Sequence, residues 1–445
     1  MTGTGDARDA RDTRHLLIAR GALSEVAACV GAVAGVQGTV VVADERTYEL
    51  AGRAVDRTLR AAGREVRSPV VFPARPRLHA DYRSVEWLRE RLTPHGAVPV
   101  AVGAGTINDL TKLAAHLAGR PYAVVATAAS MDGYAAFGAA ITRDGFKQTM
   151  ACPAPRAIVA DVDILAAAPR EMTAAGFGDL LGKVTAGADW LLADALGVEP
   201  IDPPVWATVQ PAVRQALPDA PRLPAGEPAA IERLFRCLVE SGLAMQAARS
   251  SRPASGAEHQ LSHLWEMRGL SSKGEEISHG FKVGIGTIMV SCLYEYLLAQ
   301  DMSELDVAAR CRGWPGLAAW EAEVGRTHPE AAIRRQALAE TRAKYVTAEQ
   351  LGLRLERLKA AWPALRARLR AQLLPPGEVR RLLSAAGCPT EPGQIGLTSE
   401  EVRASLGAAR QIRRRYTVLD LAAETGHLAP ALEALFGQGG AGASR

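Results

Sequence analysis

Six cysteines in 445 residues, with no CxxC pair, leave little room for a disulfide framework or a cysteine-built zinc cluster. Cys29, Cys152, Cys237, Cys292, Cys311 and Cys388 are scattered, most of them in apolar runs, and read as reduced core residues of a cytoplasmic protein. The stretch MTGTGDARDARDTRH is charged and carries no apolar run, so it is not expected to act as a signal peptide. No run approaches about 18 uninterrupted apolar residues, so no membrane span is expected. Charge of one sign is also scarce. Lys and Arg number 52 against 48 Asp and Glu, and a net +4 is too small and too dispersed to imply nucleic acid, so no such partner is expected. The basic cluster Arg413, Arg414 and Arg415 is therefore expected on a solvated or substrate-facing helix. No internal repeat and no GxGxxG fingerprint is present.

What is there is an ordinary globular balance, 48% hydrophobic and 22% charged, over a length sufficient for two domains. Residues 1–13 and 437–445 read as disordered ends. From residue 14, β-branched runs alternate with helical stretches: 38–44, 67–72, 98–105, 122–127 and 155–165 are the extended segments. This alternation predicts a parallel, doubly wound, Rossmann-like α/β domain over 14–165. Beyond about 166 the β signals stop, and an all-helical domain is expected over 166–436. Its clearest helix is 285–297, where Ile285, Ile288, Met289, Cys292, Leu293, Tyr296 and Leu297 recur at helical spacing.

VPVAVGAGTINDLTK reads as a strand, a Gly-Ala-Gly turn and a helix. Gly103 and Gly105 permit a tight turn with close backbone approach, and the helix start offers amides and a positive dipole end to a phosphate. Thr106 and Asp109 have capping-box spacing, which would fix where that helix begins. A merely tight βα loop explains the same residues. Asp44, ending a strand, suits either a ribose hydroxyl or the start of a helix. The small residues of TAASMDGYAAFG allow a flat ring near the backbone, and Asp132 within it could meet a hydroxylated substrate.

The third signal is Asp179 with His259 and His279. Asp179 lies in a Gly-flanked apolar segment where an unpartnered carboxylate is costly to bury. Ser255 and Glu258 have capping-box spacing, predicting a helix that carries His259 and His263 on one face. Three of the nine histidines fall within 259–279. One carboxylate with two imidazoles suits Zn²⁺, Ni²⁺ or Fe²⁺ with a position left open for substrate, which points to chemistry on a carbonyl or alcohol.

GAGTINDLTK, TAASMDGY, AAGFGDLLGK, SGAEHQLSH and SHGFKVGIG, in this order and spacing, closely resemble the sn-glycerol-1-phosphate dehydrogenases, the bacterial AraM-like branch above all. These belong to the metal-dependent alcohol dehydrogenase and dehydroquinate synthase-like superfamily, and the resemblance runs from about residue 15 to at least 300. It implies that Asp44, Gly105, Thr106, Ile107, Asn108, Asp109, Thr127, Ala128, Ala129 and Ser130 contact NAD(H) or NADP(H). It implies that Asp132, Asp179 and His263 contact substrate, with Asp179 and His263 catalytic. Asp179, His259 and His279 would hold one divalent metal ion, nickel or zinc, with iron as a further choice. The implied activity is reduction of dihydroxyacetone phosphate, a small phosphorylated ketone, to sn-glycerol 1-phosphate, with His263 relaying the proton. A related polyol or ketose dehydrogenase and a dehydroquinate synthase-like cyclase are the alternatives. A homodimer or higher homo-oligomer is expected. Ala136 stands where the family usually has a serine that touches the cofactor, so one hydroxyl contact is lost.

Overall fold

The computed structural model describes residues 12–143, 146–272 and 274–437. It divides into two compact units, one of residues 1–180 with 207–251, the other of 181–206 with 252–445. The expected single boundary near 165 therefore falls inside the first unit, and a helical stretch from the middle of the chain belongs to it as well. Periodicity marks a helix and its apolar face, but not which core that face will join.

In the first unit the strands are β1 (His15–Ala19), β2 (Thr39–Asp44), β3 (Val70–Phe72), β4 (Val98–Gly103), β5 (Ala123–Ala126), β6 (Ala139–Arg143), β7 (Phe146–Met150) and β8 (Ala157–Asp161). Six of them form one parallel sheet in the order β1-β8-β5-β4-β2-β3. Val40, Val41, Val42, Val98, Val100 and Val102 are fully buried, as continuous β-branched runs must be when both faces of a sheet are covered. The doubly wound α/β expectation holds. β6 and β7 pair antiparallel as a separate hairpin that the expected strands did not include; the Asp-Gly dipeptide at 144–145 between two extended runs was the available signal.

The expected disordered ends lie for the most part outside the described residues. Asp12 and Thr13 are described, and they are held: Thr13 Oγ1 donates to the Pro155 carbonyl at 2.7 Å, and Asp12 Oδ2 accepts from the Ala154 amide at 3.0 Å.

The second unit is helical apart from a short pair of strands, Ser271–Ser272 with Glu275–Glu276, among its described residues. The predicted helix over 285–297 is part of His279–Leu298. That helix is long and apolar enough to cross a membrane by length and composition, yet nearly all of it is buried inside its own unit. It packs most closely against the helix Ala257–Met267, which brings two histidine-bearing segments together. Arg413, Arg414 and Arg415 lie in an irregular segment before the helix Val418–Thr425, not on the helix expected for them.

Candidate active site

The parallel register pairs Gly103 with Ala126 and Val42 with Ala101, so the Gly-Ala-Gly turn, Thr127–Ser130 and Asp44 all sit at the carboxyl edge of the sheet. That edge is where open α/β sheets receive ligands. The helix Gly105–Leu117 begins there with Ala104 as its N-cap and no side chain capping it. The Thr106–Asp109 capping box does not form, because the helix starts two residues too early for Thr106 to serve as cap. Its first amides are left for an anion. A Cβ on Gly105 would meet Met131 Sδ at 2.8 Å, a close approach that explains the glycine.

The side chains that follow turn inward. Asn108 Nδ2 donates to Asp109 Oδ1 at 3.0 Å, while its Oδ1 accepts from the Tyr122 hydroxyl at 3.0 Å. Asp109 Oδ2 accepts from the Ala140 amide at 3.2 Å. Lys112, 1% exposed, donates to the carbonyls of Gly133, Ala136 and Gly138 at 2.8, 2.9 and 3.1 Å, with Asp109 at 3.9 Å. Burial lowers the lysine pKa, opposed chiefly by Asp109. Asn108, Asp109 and Lys112 thus hold the loop 133–138. Gly105 and Thr106 present the turn itself. Lys112 had drawn no role from the sequence, although it ends the GTINDLTK motif.

Asp44 is an N-cap: Oδ1 accepts from the Thr47 amide at 2.8 Å, and Thr47 Oγ1 accepts from the Asp44 amide at 3.2 Å. The helix-start alternative is therefore observed. The loop after β5 is tightly tied. The Tyr134 hydroxyl donates to the Ala128 carbonyl at 2.8 Å, and the Asp132 amide donates to Asp179 Oδ2 at 3.0 Å. Asp132 Oδ2 accepts from Ser241 Oγ at 3.0 Å. Asp179 is fully buried on the helix Arg170–Leu181. A Cβ on Gly176 of that helix would lie 1.9 Å from the Ala129 carbonyl oxygen, so only glycine lets helix and loop approach.

In the second unit His259, His263 and His279 face one another, with ring centroids 6.1, 5.4 and 5.7 Å apart in the three pairings. Two buried carboxylates orient them. His259 Nδ1 lies 2.7 Å from Glu258 Oε1, and Glu258 Oε2 accepts from Thr185 Oγ1 at 2.8 Å. Glu266, 3% exposed at its side chain, meets His279 Nδ1 at 2.9 Å, His263 Nδ1 at 3.3 Å and Lys282 Nζ at 3.1 Å. The helix Ala257–Met267 is capped by Gly256, not by Ser255, and the expected Ser255–Glu258 box is absent. Glu258 instead holds the Gly256 amide at 2.6 Å and the His259 ring together. Burial first, then the positive charge of Arg413 and His279, drives the His263 pKa down to about 3 against the pull of Glu266. Its resting form is a neutral imidazole. Glu258, Glu266 and Lys282, which surround the histidines, were given no site role by the sequence reading; only their i−1, i+3 and i+3 spacing from His259, His263 and His279 marked them.

Asp179 in the first unit and His259 and His279 in the second can each offer one ligand atom, one carboxylate with two imidazoles. The donor set fits a borderline divalent cation. Each imidazole has Nδ1 engaged by a buried carboxylate, the arrangement that fixes the tautomer with Nε2 as ligand and raises its basicity.

Comparison with known proteins agrees with this chemistry. Residues 17–169 match the iron-containing alcohol dehydrogenase family. The glycerol-1-phosphate dehydrogenase (NAD(P)+) of Geobacillus stearothermophilus is 32% identical over 341 residues, covering 76% of this chain and 75% of that enzyme. The enzyme of the same name from Pyrococcus furiosus is 34% identical over 282 residues, 63% of this chain and 78% of its own. The chain belongs to the glycerol-1-phosphate dehydrogenase family. A further member, from Halalkalibacterium halodurans, is 41% identical over 262 residues, covering 59% of this chain and 66%, about two thirds, of its own length. As a member of this family the chain is an oxidoreductase. Solved structures share its fold at low identity. A probable glycerol dehydrogenase from Sinorhizobium meliloti superposes with a TM-score of 0.58 at 17% identity, over 95% of this chain and 96% of that one. A sulfoacetaldehyde reductase from Bifidobacterium kashiwanohense does so with a TM-score of 0.58 at 13% identity, over 95% and 97%.

Proposed function

We propose that this chain reduces dihydroxyacetone phosphate to sn-glycerol 1-phosphate with NADH or NADPH, using one divalent cation held by Asp179, His259 and His279. The observation that carries the reading is the histidine cluster backed by Glu258 and Glu266 in a chain of this family. When bound, the cation would polarise the substrate's oxygens and the reduced nicotinamide would supply the hydride. The chain's own residues do the rest. Amides at Gly105 and Thr106 receive the dinucleotide phosphates, and the glycine-tight loop Thr127–Ser130 borders the ring. Glu258 and Glu266 hold the two imidazoles in one tautomer, so that no ring has to turn when ligand arrives.

His263 has a different part. Neutral at rest, it keeps its Nδ1 on Glu266 and offers the other nitrogen to a substrate oxygen, so a proton relay through it begins from imidazole and not from imidazolium. Asp132, tied by its amide to Asp179 and by its carboxylate to Ser241, stands ready for a substrate hydroxyl. A cytoplasmic setting agrees with the six cysteines, none of which is joined to another by a disulfide.

The test is a substrate panel with the purified, metal-analysed enzyme. NADH and NADPH oxidation is followed with dihydroxyacetone phosphate, dihydroxyacetone and other ketose phosphates, and the product is resolved on a chiral column. Net oxidation with sn-glycerol 1-phosphate as product is the expected result. Formation of the 3-phosphate, or turnover without net NAD(P)H consumption, overturns the named activity.

A further inference from the structure

A second polar cluster lies within the helical unit, away from the histidine-bearing helices. The helix Leu317–Thr327 turns Trp320 and Val324 inward, and His328 follows one turn later with its amide on the Val324 carbonyl at 3.0 Å. This helix packs against the helix Ala331–Lys344, which buries Thr341 and packs in turn on the short 3-10 turn Ala409–Gln411. Side chains of that turn reach back. The Arg410 guanidinium lies 4.1 Å from the centroid of the Trp320 ring, and Arg410 Nη2 and Gln411 Nε2 donate to one oxygen, Glu323 Oε1, at 2.9 and 3.0 Å. Gln411 also bears on the His328 imidazole. Lys344 holds the turn from its backbone side, donating to the Arg410 carbonyl and to Asp420 Oδ1 at 2.6 Å.

Burial and hydrogen bonding do not match in this cluster. Trp320, His328, Thr341, Arg410 and Gln411 are each more than nine-tenths buried. Yet Trp320 Nε1, both ring nitrogens of His328, Thr341 Oγ1, Arg410 Nε and Nη1, and Gln411 Oε1 meet no hydrogen-bond partner among the described residues. Buried polar atoms are nearly always paired, because leaving them unpaired is costly. Stacking on Trp320 engages a face of the guanidinium and leaves its in-plane N–H groups open. The indole, the hydroxyl and two guanidinium nitrogens bring more donors than Gln411 Oε1 and one bare imidazole nitrogen bring acceptors. The carboxylate that meets Arg410, Glu323, is 40% exposed at its side chain, so water screens much of its charge. Water donates as readily as it accepts, whereas a set rich in donors around a guanidinium calls for a group that accepts alone.

We propose that Trp320, His328, Thr341, Arg410 and Gln411 together hold a small monovalent anion, such as chloride. Burial of all five side chains favours a guest of that size over a phosphate or a sulfate. Binding there would also brace the histidine-bearing helix. The turn runs on into the segment that Gln260 holds, its Nε2 donating to the Arg415 carbonyl at 3.2 Å, and Arg415 Nη1 donates to the Ser255 carbonyl at 2.6 Å, just ahead of the helix Ala257–Met267.

The experiment uses the full chain and reads melting temperature over a series of sodium chloride concentrations, against sodium gluconate at equal ionic strength. Chloride is expected to give a saturable rise above the gluconate curve. Trp320→Phe keeps a ring beneath the guanidinium and removes one donor, so the chloride concentration at half the rise should increase by about tenfold. Arg410→Gln should abolish the rise, and if that variant fails to fold, Trp320→Phe and Thr341→Val carry the test. In bromide-soaked crystals an anomalous peak is expected beside Arg410 and Trp320. Coincident chloride and gluconate curves, or a rise with the parent midpoint in Trp320→Phe, overturn the assignment and leave ordered water or a general salt effect in its place. A bromide peak without any effect in solution is binding at crystal concentration only and overturns it too. None of these readings needs the divalent cation or a ketone substrate, so the anion site and the activity proposed above stand or fall separately.

Discussion

The glycine turn of the sheet and the histidine pair of the helical unit look alike as motifs, each a short polar run beside glycines, but they use their residues in opposite ways. At the turn, the charged and amide side chains face inward. Asn108, Asp109 and Lys112 bind the protein's own carbonyls and amides, and what is left for a ligand is backbone N–H. At the histidine cluster the proposed function makes the side chains the ligand-binding groups, and a buried carboxylate behind each imidazole sets its orientation. Phosphate recognition by a helix start needs a rigid backbone more than any particular side chain. Cation binding needs particular nitrogens at fixed angles. The polar residues of one motif are therefore scaffolding, and under the proposed function those of the other are chemistry.

The sharpest way to break that contrast is to remove a ligand nitrogen. His259→Ala should lose its cation and about a thousandfold or more in rate, roughly 4 kcal/mol of transition-state stabilisation, with the sheet unit still folded. Metal analysis and circular dichroism of the variant check it, and chelation followed by reloading should reproduce the loss and its reversal in the parent. Wild-type metal content in His259→Ala would place the site elsewhere.

The scaffolding half of the comparison is tested on stability. Lys112→Met leaves Asp109 and the carbonyls of Gly133, Ala136 and Gly138 without their cation, and should lower the unfolding free energy by about 3–5 kcal/mol. Urea titration reads this directly. A change below about 1 kcal/mol, an ordinary surface effect, would mean that the loop is held by other contacts. Glu258→Gln probes the opposite side with a smaller effect. The amide keeps its volume but loses the charge behind His259, and cation affinity should fall by about 10–100-fold with little change in fold. Competition with a metal-responsive dye measures it.

How far the sequence alone reaches follows from the same contrast. β2, β4, β5 and β8 were legible because strands buried on both faces read as unbroken apolar runs, whereas β6 and β7 carry mixed residues and were passed over. Asp179, His259 and His279 stood out because histidine is scarce and an aspartate in an apolar segment is costly. Glu266 did not, since a glutamate on a helix reads as one more solvated charge until folding places it against two imidazoles and Lys282. Thr106 with Asp109, and Ser255 with Glu258, have the spacing of capping boxes, and in neither case does the box form. Spacing along a chain fixes which residues can meet, and the tertiary partners decide whether they do. The membership of 207–251 in the first unit is of the same kind, a property of the packed core and not of the segment.

Asp44 gives the smallest expected effect and the finest division between the two roles. Its Oδ1 caps the turn that follows β2, with Thr47 closing the box. As a cap alone, Asp44→Asn should be nearly silent, because an asparagine oxygen accepts the same amide, and Asp44→Ala should cost about 1 kcal/mol. If the carboxylate also accepts from an adenosine ribose, both variants should raise KM for NADH several-fold, and loss of the negative charge should improve NADPH, with Arg46 nearby to meet its 2′-phosphate. The asparagine variant separates the readings, since it keeps the cap and removes only the charge. An unchanged NADH to NADPH preference in Asp44→Asn, together with a stability loss confined to Asp44→Ala, would make Asp44 scaffolding like Asp109. A shifted preference at unchanged stability would make it a side chain that reads the ligand, within the unit whose other polar residues do not.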